Sequence, residues 1–339
     1  ATPEAYPCTI AAVSWWLRYA AILGNEPMNT QVSIIIPNLN SPVIPRVLEA
    51  VRKQTAGLRR TEVLVVGRDD PGLVEEDRLV RFVESERPMP PAQARNRGLA
   101  SSRGKIVVFL DADCVPDTDW LARLLDPYAD ASVHVVGGSM ALAGAGFWTL
   151  ADNIATFHEY LDTRPAGSRD LLPSFNLSCR RSALETVGGF DEAYPYPAGE
   201  DADLTLRLRL AGYSLHFEPT AVVHHYPSRR RFSSLLRHAY RFGQYSVKVD
   251  PRYADLLRVP WALRRAWRVL LAAPLMAGAV TWRTFRRDRQ LWRLWHVAPV
   301  MYVAKLAWCV GAMYTLQRGA PSLAPWGTVY CLSRQEATA

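Results

Sequence analysis

The sequence predicts an open α/β sheet, mostly parallel and sandwiched by helices, with a C-terminal apolar helical hairpin. Two patterns predict it. Between Val32 and Val136 short apolar runs alternate with amphipathic helical stretches, and beyond Arg258 two long apolar runs bounded by arginines replace that alternation. The strand candidates are Val32 to Ile36, Val63 to Val66, Leu79 to Val83, Ile106 to Leu110 and Val133 to Val136. Val43 to Gln54 carries apolar residues at Val43, Val47, Leu48 and Val51, a helical repeat that Pro42 is free to open. Phe147 to Asp162 reads as a helix, Ser174 to Leu177 as a strand or loop, and Ser182 to Val187 as a helix ended by Gly188 and Gly189. Ala202 to Ala211 is a helix stopped by Gly212; two short strands, Leu215 to Phe217 and Ala221 to Val223, lead to a basic helix from Phe232 to Phe242.

The chain has 339 residues, 49% of them apolar, enough for one large core and an appended module. Its formal charge of +8 rests on arginine, since Lys53, Lys105, Lys248 and Lys305 are the only lysines. Arginine suits phosphates and anionic headgroups. Nucleic acid is discounted, because these arginines flank apolar helices without a reading motif. Five scattered cysteines with no CxxC pair predict neither a disulfide framework nor a zinc site, which fits a reducing, cytoplasmic setting. Residues 1–27 hold an apolar run interrupted by Arg18, with no basic region before it and no cleavage site after it, and read as an extension packed on the domain or lying on membrane. Residues 28–250 form the catalytic domain and 251–339 a membrane-associated helical region. Its runs, Trp267 to Trp282 and Leu294 to Leu316, contain Pro274 and Pro299, and the first is short of a span. An in-plane or re-entrant hairpin on the cytoplasmic face fits better than two full spans or a soluble helical pair folded onto the core.

Ligands of open α/β sheets gather beyond the carboxyl ends of the strands. There, Ile106 to Leu110 runs directly into Asp111, Ala112 and Asp113, two carboxylates at i, i+2 that a divalent ion can bridge to a diphosphate. Asp117, just before Trp120, looks like the cap of the next helix. Gly199, Glu200, Asp201, Ala202 and Asp203 open an amphipathic helix. Asp203 is where the helix dipole favours an acid, while Asp201 is placed to take a proton from an acceptor hydroxyl. Pro91 to Gly98 places Arg95 and Asn96 where they can touch donor phosphate or sugar, with Arg97 a solvated neighbour.

These stretches, in this order, resemble the family 2 glycosyltransferases of the A-type nucleotide-diphospho-sugar transferase fold, across about residues 32 to 245. The resemblance runs from Val32-Ser33-Ile34-Ile35-Ile36-Pro37-Asn38-Leu39-Asn40 and Gln54-Thr55 through Ala94-Arg95-Asn96-Arg97-Gly98-Leu99 and Phe109-Leu110-Asp111-Ala112-Asp113. It continues with Asn176-Leu177-Ser178-Cys179-Arg180-Arg181, Gly188-Gly189-Phe190-Asp191-Glu192 and Gly199-Glu200-Asp201-Ala202-Asp203-Leu204. It implies an inverting hexosyl transfer from a UDP, GDP or dTDP sugar to a lipid-linked or glycan acceptor, assisted by Mn2+ or Mg2+. Pro37, Asn40 and Ala112 would line the donor pocket, Asp111 would contact ribose or metal, Asp113 would bind the metal directly, and Asp201 would be the general base. His225, rather than His224, would complete the metal shell, and Asn176 and Glu200 would stand on the acceptor side. The base-reading carboxylate falls on Asp69 or Asp70, because Gly67 and Arg68 intervene where the family has aspartates immediately after the strand. The Q-x-x-R-W segment of processive members is replaced by Arg237-His238-Ala239-Tyr240-Arg241, which implies single additions. The basic stretch from Arg229 to Arg241 is a candidate for the departing diphosphate or a lipid phosphate. Two rivals remain: a non-catalytic membrane-associated scaffold on this fold, and a haloacid-dehalogenase-type phosphatase, whose nucleophile motif Asp111-Ala112-Asp113 also fits but whose later lysine has no suitable counterpart.

Overall fold

The computed structural model describes residues 31–55, 60–142, 146–253 and 259–318; the extension expected over residues 1–27 lies outside them. In chain order the elements are β1 (Val32–Leu39), α1 (Ile44–Thr55), β2 (Thr61–Arg68), β3 (Val80–Glu84), α2 (Pro91–Ser101), β4 (Ile106–Leu110), β5 (Cys114–Pro116), α3 (Trp120–Leu125) and β6 (Val135–Ala141). There follow α4 (Phe147–Phe157), β7 (Gly167–Ser168), β8 (Asn176–Arg180), α5 (Arg181–Val187), α6 (Glu200–Leu210), β9 (Leu215–His225), α7 (Phe232–Gln244), α8 (Ala266–Arg287), α9 (Arg289–Trp292) and α10 (Ala298–Arg318).

β1 sits inside the sheet and is buried on both faces, which is why it reads as a continuous apolar run. Ile34 and Ile36 point into one core with Val47, Leu48 and Val51 of α1. Ile35 points into the other, with Ala92 and Ala94 of α2 and Phe109 of β4. The strand order is β3-β2-β1-β4-β8-β6-β9-β5, with β7 on β9. The expected helix-covered sheet is present, but it is mixed. β3, β2, β1 and β4 are parallel, whereas β8 runs antiparallel to both β4 and β6. Strand direction depends on how a connection returns, which hydrophobic periodicity does not encode. The reversal has a local consequence, because it sets Asn176, the first residue of β8, opposite Leu110, the last of β4.

Two further boundaries differ from expectation. The short strands at Leu215 and Ala221 are one strand, β9, whose register against β6 slips between Gly138 and Ser139. The helix expected to reach Asp162 ends at Phe157, and Met140 exchanges backbone bonds with the chain at Tyr160 and Asp162.

The C-terminal runs form a hairpin, α8 against α10, laid on the sheet domain through α4 and α7. α10 is long and apolar enough, with the three residues before it, to cross a membrane. Its Met301 and Ala304 nevertheless share a buried cluster with Leu150 and Ile154 of α4 and Leu235 of α7. Glycines let α7 and α10 approach closely. A Cβ on Gly311 would lie 1.9 Å from the Tyr240 carbonyl oxygen, and one on Gly243 would lie 1.9 Å from that of Trp308. Both obstacles are backbone and cannot swing away. Gly311→Val should therefore destabilise the protein by about 2 kcal/mol or more, seen as a lower melting temperature and earlier tryptic cutting at Arg286 or Arg287. Unchanged melting and cleavage would show that the crossing does not clamp the hairpin.

Candidate active site

The carboxyl end of β4, the end of β9 and the start of α6 meet at one place. Arg95, on α2, is buried to 2% exposure there. Its Nη2 donates to Asp111 Oδ1 at 2.7 Å and its Nη1 to Glu200 Oε1 at 3.0 Å. A guanidinium can be buried at this depth only because two carboxylates face it. Gly199 makes the turn into α6 with φ +93°, and a Cβ there would lie 2.2 Å from the Tyr245 carbonyl oxygen. The close turn delivers Glu200 and Asp201 on successive positions, Glu200 inward onto Arg95 and Asp201 half-buried toward a cavity.

The two acids are held in unusual states. Burial and the neighbouring Asp201 push the Glu200 carboxyl up to about 8 against the pull of Arg95. Burial also raises Asp201, with Arg95 opposing and Asp111 adding to the rise. The Asp201 carboxylate accepts from the Ser174 and Ala202 backbone amides at 3.3 and 2.7 Å, which fixes its orientation.

On the other side of Asp111, Asp113 Oδ2 and His225 Nε2 stand 3.5 Å apart. His225 Nδ1 is 2.8 Å from the side-chain oxygen of Asn153, so the Nδ1 proton is engaged and Nε2 is left to face Asp113. Burial tends to raise Asp113, but His225 and then Arg229 hold it below the usual carboxylate range. Asp113, Cys114 and His225 bring potential ligand atoms within 4.8 Å of one another. Burial, reinforced by Asp113 and Asp111, drives the Cys114 thiol far upward, which opposes its ionisation to a thiolate ligand. The remaining donors, carboxylate oxygen and imidazole nitrogen, suit Mn2+ or Mg2+ rather than a thiophilic ion. The residues therefore fit a divalent cation.

Arg229 reaches this place from the loop after β9. Its Nε donates to Asp152 at 2.7 Å, and His238 Nδ1 lies 2.8 Å from the other Asp152 oxygen. Burial opposes ionisation of Asp152, yet His238 and Arg229 bring it down to about 2. Arg230, Arg231 and Arg237 of the basic stretch are exposed. His224 pairs with Asp117 at 2.9 Å and takes no part in the cluster; the N-cap of α3 is Asp119 rather than the expected Asp117, and it makes no side-chain capping bond.

The loops after β1, β2 and β4 are tied together. Asn40, at φ 55°, exchanges two hydrogen bonds with Asp70, and Ser41 Oγ donates to the Ala112 carbonyl at 2.8 Å. Pro37 is half-buried in β1 beside these loops. Asp70 is also paired with Arg68, whereas Asp69 accepts from the Val74 amide through Oδ2 and keeps a buried Oδ1 with no partner.

Four expectations need correcting. Asn176 is fully buried and cannot meet an acceptor, because its amide is spent on Trp120 Nε1 and on the Ser139 and Ala221 carbonyls. Asn96 does not face a donor; it exchanges bonds with the Phe190 backbone and Glu192 to dock that loop. Arg95 spends both terminal nitrogens on carboxylates, so it acts by placing them. Glu200 faces Arg95 rather than an acceptor. Asp152 and Asn153 escaped sequence reasoning, although two polar residues between Ala151 and Ile154 on a buried helix face were a usable signal.

Asp201 opens into a cavity of about 790 Å³ between the sheet domain and the hairpin, walled by Phe242, Leu263, Met276, Ala277, Val280 and Trp308 among others. This volume is in the range of sites for sizeable organic ligands.

A raised carboxyl binds its proton more tightly in the folded than in the unfolded chain. The contribution of Glu200 to stability is therefore full below its unfolded pKa of about 4.3 and is lost as pH rises through about 8. The slope it can supply is at most about 1.4 kcal/mol per pH unit. Glu200→Gln should flatten the fall in unfolding free energy between those limits, measured by urea titration at several pH values. An identical slope in the variant would refute the assignment.

The family model of Glycosyl transferase family 2 matches residues 33–188. The pre-mycofactocin glycosyltransferase of Mycobacterium tuberculosis is 32% identical over 242 residues, 68% of this chain and 49% of that protein, so the chain spans about half its length. Glycosyltransferase AglE of Haloferax volcanii is 32% identical over 232 residues, 64% of this chain and 73% of that protein. In fold, the chain is similar to the mannosyltransferase PcManGT from Pyrobaculum calidifontis, solved in complex with GDP-Man and Mn2+, with a TM-score of 0.51 at 18% identity over 96% of this chain and 87% of that one. Given that share of AglE, and the shared motifs gathered at one end of the sheet, the chain belongs to glycosyl transferase family 2.

Proposed function

We propose that the chain is an inverting glycosyltransferase that moves a sugar from a nucleoside diphosphate to an acceptor hydroxyl at a membrane surface. The observation that carries this reading is the convergence of Asp111, Asp113 and His225 with Asp201 at one sheet end, with Arg95 bracketing Asp111 and the start of α6. Asp113 and His225 would hold the divalent ion, with Asp111 beside them. When bound, Mn2+ or Mg2+ offsets the charge that builds on the departing diphosphate; the similar mannosyltransferase was captured with Mn2+ and GDP-Man, which supports a divalent ion and a nucleotide-sugar donor here. Asp69, with its unpartnered Oδ1, is the better placed of the two candidates to read the base, since Asp70 is occupied by Arg68 and Asn40.

The proposed reaction is a single displacement. The acceptor oxygen bonds to the anomeric carbon as the carbon–oxygen bond to the diphosphate breaks, and the hydroxyl proton passes to Asp201. The raised proton affinity of Asp201 suits that role. Arg229, held by Asp152, adds positive charge beside Asp113. The test is thermal stabilisation by UDP, GDP and dTDP with and without Mn2+. One nucleotide should stabilise the protein only with metal, and Asp113→Ala should abolish the shift. Asp201→Asn should keep the shift and lower turnover about 10²- to 10⁴-fold. Failure of every nucleotide to bind would favour the scaffold reading.

The membrane part of the reading rests on α8. Trp267, Leu270, Leu271, Leu275 and Trp282 are 54–79% exposed along one face, and Arg265, Arg283, Arg286 and Arg287 flank them. An apolar stripe edged by tryptophan and arginine matches a helix lying in the bilayer interface. Each leucine buried in lipid contributes about 1.5–3 kcal/mol. Leu271→Ser with Leu275→Ser should therefore cut binding to phosphatidylcholine–phosphatidylglycerol vesicles at least tenfold in a flotation assay. Equal flotation of parent and variant would remove the in-plane assignment.

A further inference from the structure

We infer that the cavity beside Asp201 is a binding site for an apolar-tailed acceptor bearing an anionic group of the phosphate type, and that Lys305 on α10 is the residue that selects the anion. The inference deepens the glycosyltransferase reading and rests on it for the word acceptor; the binding site itself stands on geometry. One wall of the cavity carries Asp201 and Gly199 from the start of α6. The opposite wall is the hairpin, with Met276, Ala277 and Val280 of α8 and Trp308 and Cys309 of α10.

Lys305 projects from the half-buried part of α10 and lines the same space. Among the described residues it makes no hydrogen bond or ion pair; Lys248, which lines the same space, is exposed to solvent. An ammonium held in a largely apolar wall, offset only at a distance by the largely exposed Glu159, is costly. The lining as a whole carries six cationic side chains against three carboxylates, one of which is Asp201 itself. A second group responds to the same imbalance: burial first, then Lys305 and Arg164, push His158 down to about 3, so it does not add to the positive charge. Its Nδ1 is buried and unpartnered.

The occupant that fits has two parts. The apolar walls suit a hydrocarbon tail, and the unpaired Lys305 suits an oxyanion. A neutral glycan would leave Lys305 unpaired, and a free anion would leave the apolar walls unused. The exposed face of α8, centred on Leu271 and Leu275, lies on the opposite side of the helix from Val280, so a tail reaching the cavity passes beside the surface proposed to meet lipid.

The experiment is isothermal titration calorimetry of the full chain with decyl phosphate below its micellar concentration, alongside decanol and inorganic phosphate. Decyl phosphate should bind saturably, at least tenfold more tightly than either comparator. Lys305→Met should weaken it about tenfold or more, and Lys305→Arg should restore it to within about threefold, with decanol unaffected in both. Equal affinity of parent and Lys305→Met for decyl phosphate overturns the role of Lys305. Equal affinity for decanol overturns the anion, and equal affinity for inorganic phosphate overturns the tail. The nucleotide and Mn2+ shift, measured on the same samples, reports folding of the variants and separates the two ideas: with that shift intact, failure of decyl phosphate sinks only this inference. A missing shift beside tight decyl phosphate binding would sink the transferase reading and leave the pocket.

Discussion

The guanidinium of Arg95 is the tie on which the site depends. It lies under the sheet end and joins three pieces of chain that are far apart in sequence: α2, the turn after β4 and the start of α6. Its charge is matched against more than one acid, since Asp111 and Glu200 touch it and Asp201 feels it. One buried cation cannot satisfy three carboxylates. Burial first, and then the surplus of acids, displaces Glu200 and Asp201 upward, which leaves Asp201 with a stronger pull on a proton than an exposed aspartate has. The arginine therefore acts through the acids it places.

Asp152 does the corresponding work on the other flank. It lies on α4, one residue before Asn153, so a single helical turn fixes both the cation Arg229 and the tautomer of His225. Arg229 is the arginine of the basic stretch that Asp152 anchors; Arg230 and Arg231 extend into solvent. A helix that was legible only as an apolar segment thus organises the side of the site opposite Arg95. Phe157, from the end of the same helix, packs edge-on against His225 at 5.8 Å between centroids and further limits the ring.

Much of this was readable from the sequence because it depends on local pattern. The buried strands announced themselves as β-branched runs, and Asp111, Asp113 and Asp201 stood at the junctions where strands or loops give way to the next element. What was unreadable depends on direction or on long-range pairing. The antiparallel placement of β8 buried Asn176 behind Trp120, although its position in the motif suggested the acceptor side. Asn96 and Arg95 are neighbours on one helix, yet the helix turn sends one to the Phe190 loop and the other to the acids. The choice between Asp69 and Asp70 needed the loop itself, because only there does Asn40 meet Asp70. The glycines at the α7–α10 crossing resemble ordinary helix interruptions until the opposing carbonyls are seen.

That crossing links the chemistry to the hairpin. Gly243 lies in the last turn of α7, two residues before Tyr245, whose carbonyl stands against Gly199 at the turn into Asp201. The same α7 carries His238, which holds Asp152, and Phe242, which lines the cavity. A hairpin displaced from Gly243 would therefore move a cavity wall and strain the turn that aims the proposed base. α8 packs Phe285 with Leu150 of α4 and Leu235 of α7, and it turns Val269, Ala273 and Ala277 inward at four-residue spacing and its tryptophans outward. In the proposed orientation, one helix face meets lipid while the other closes the space over Asp201. The catalytic end would then be assembled where a membrane-held acceptor can reach it, without the sheet domain itself entering the bilayer.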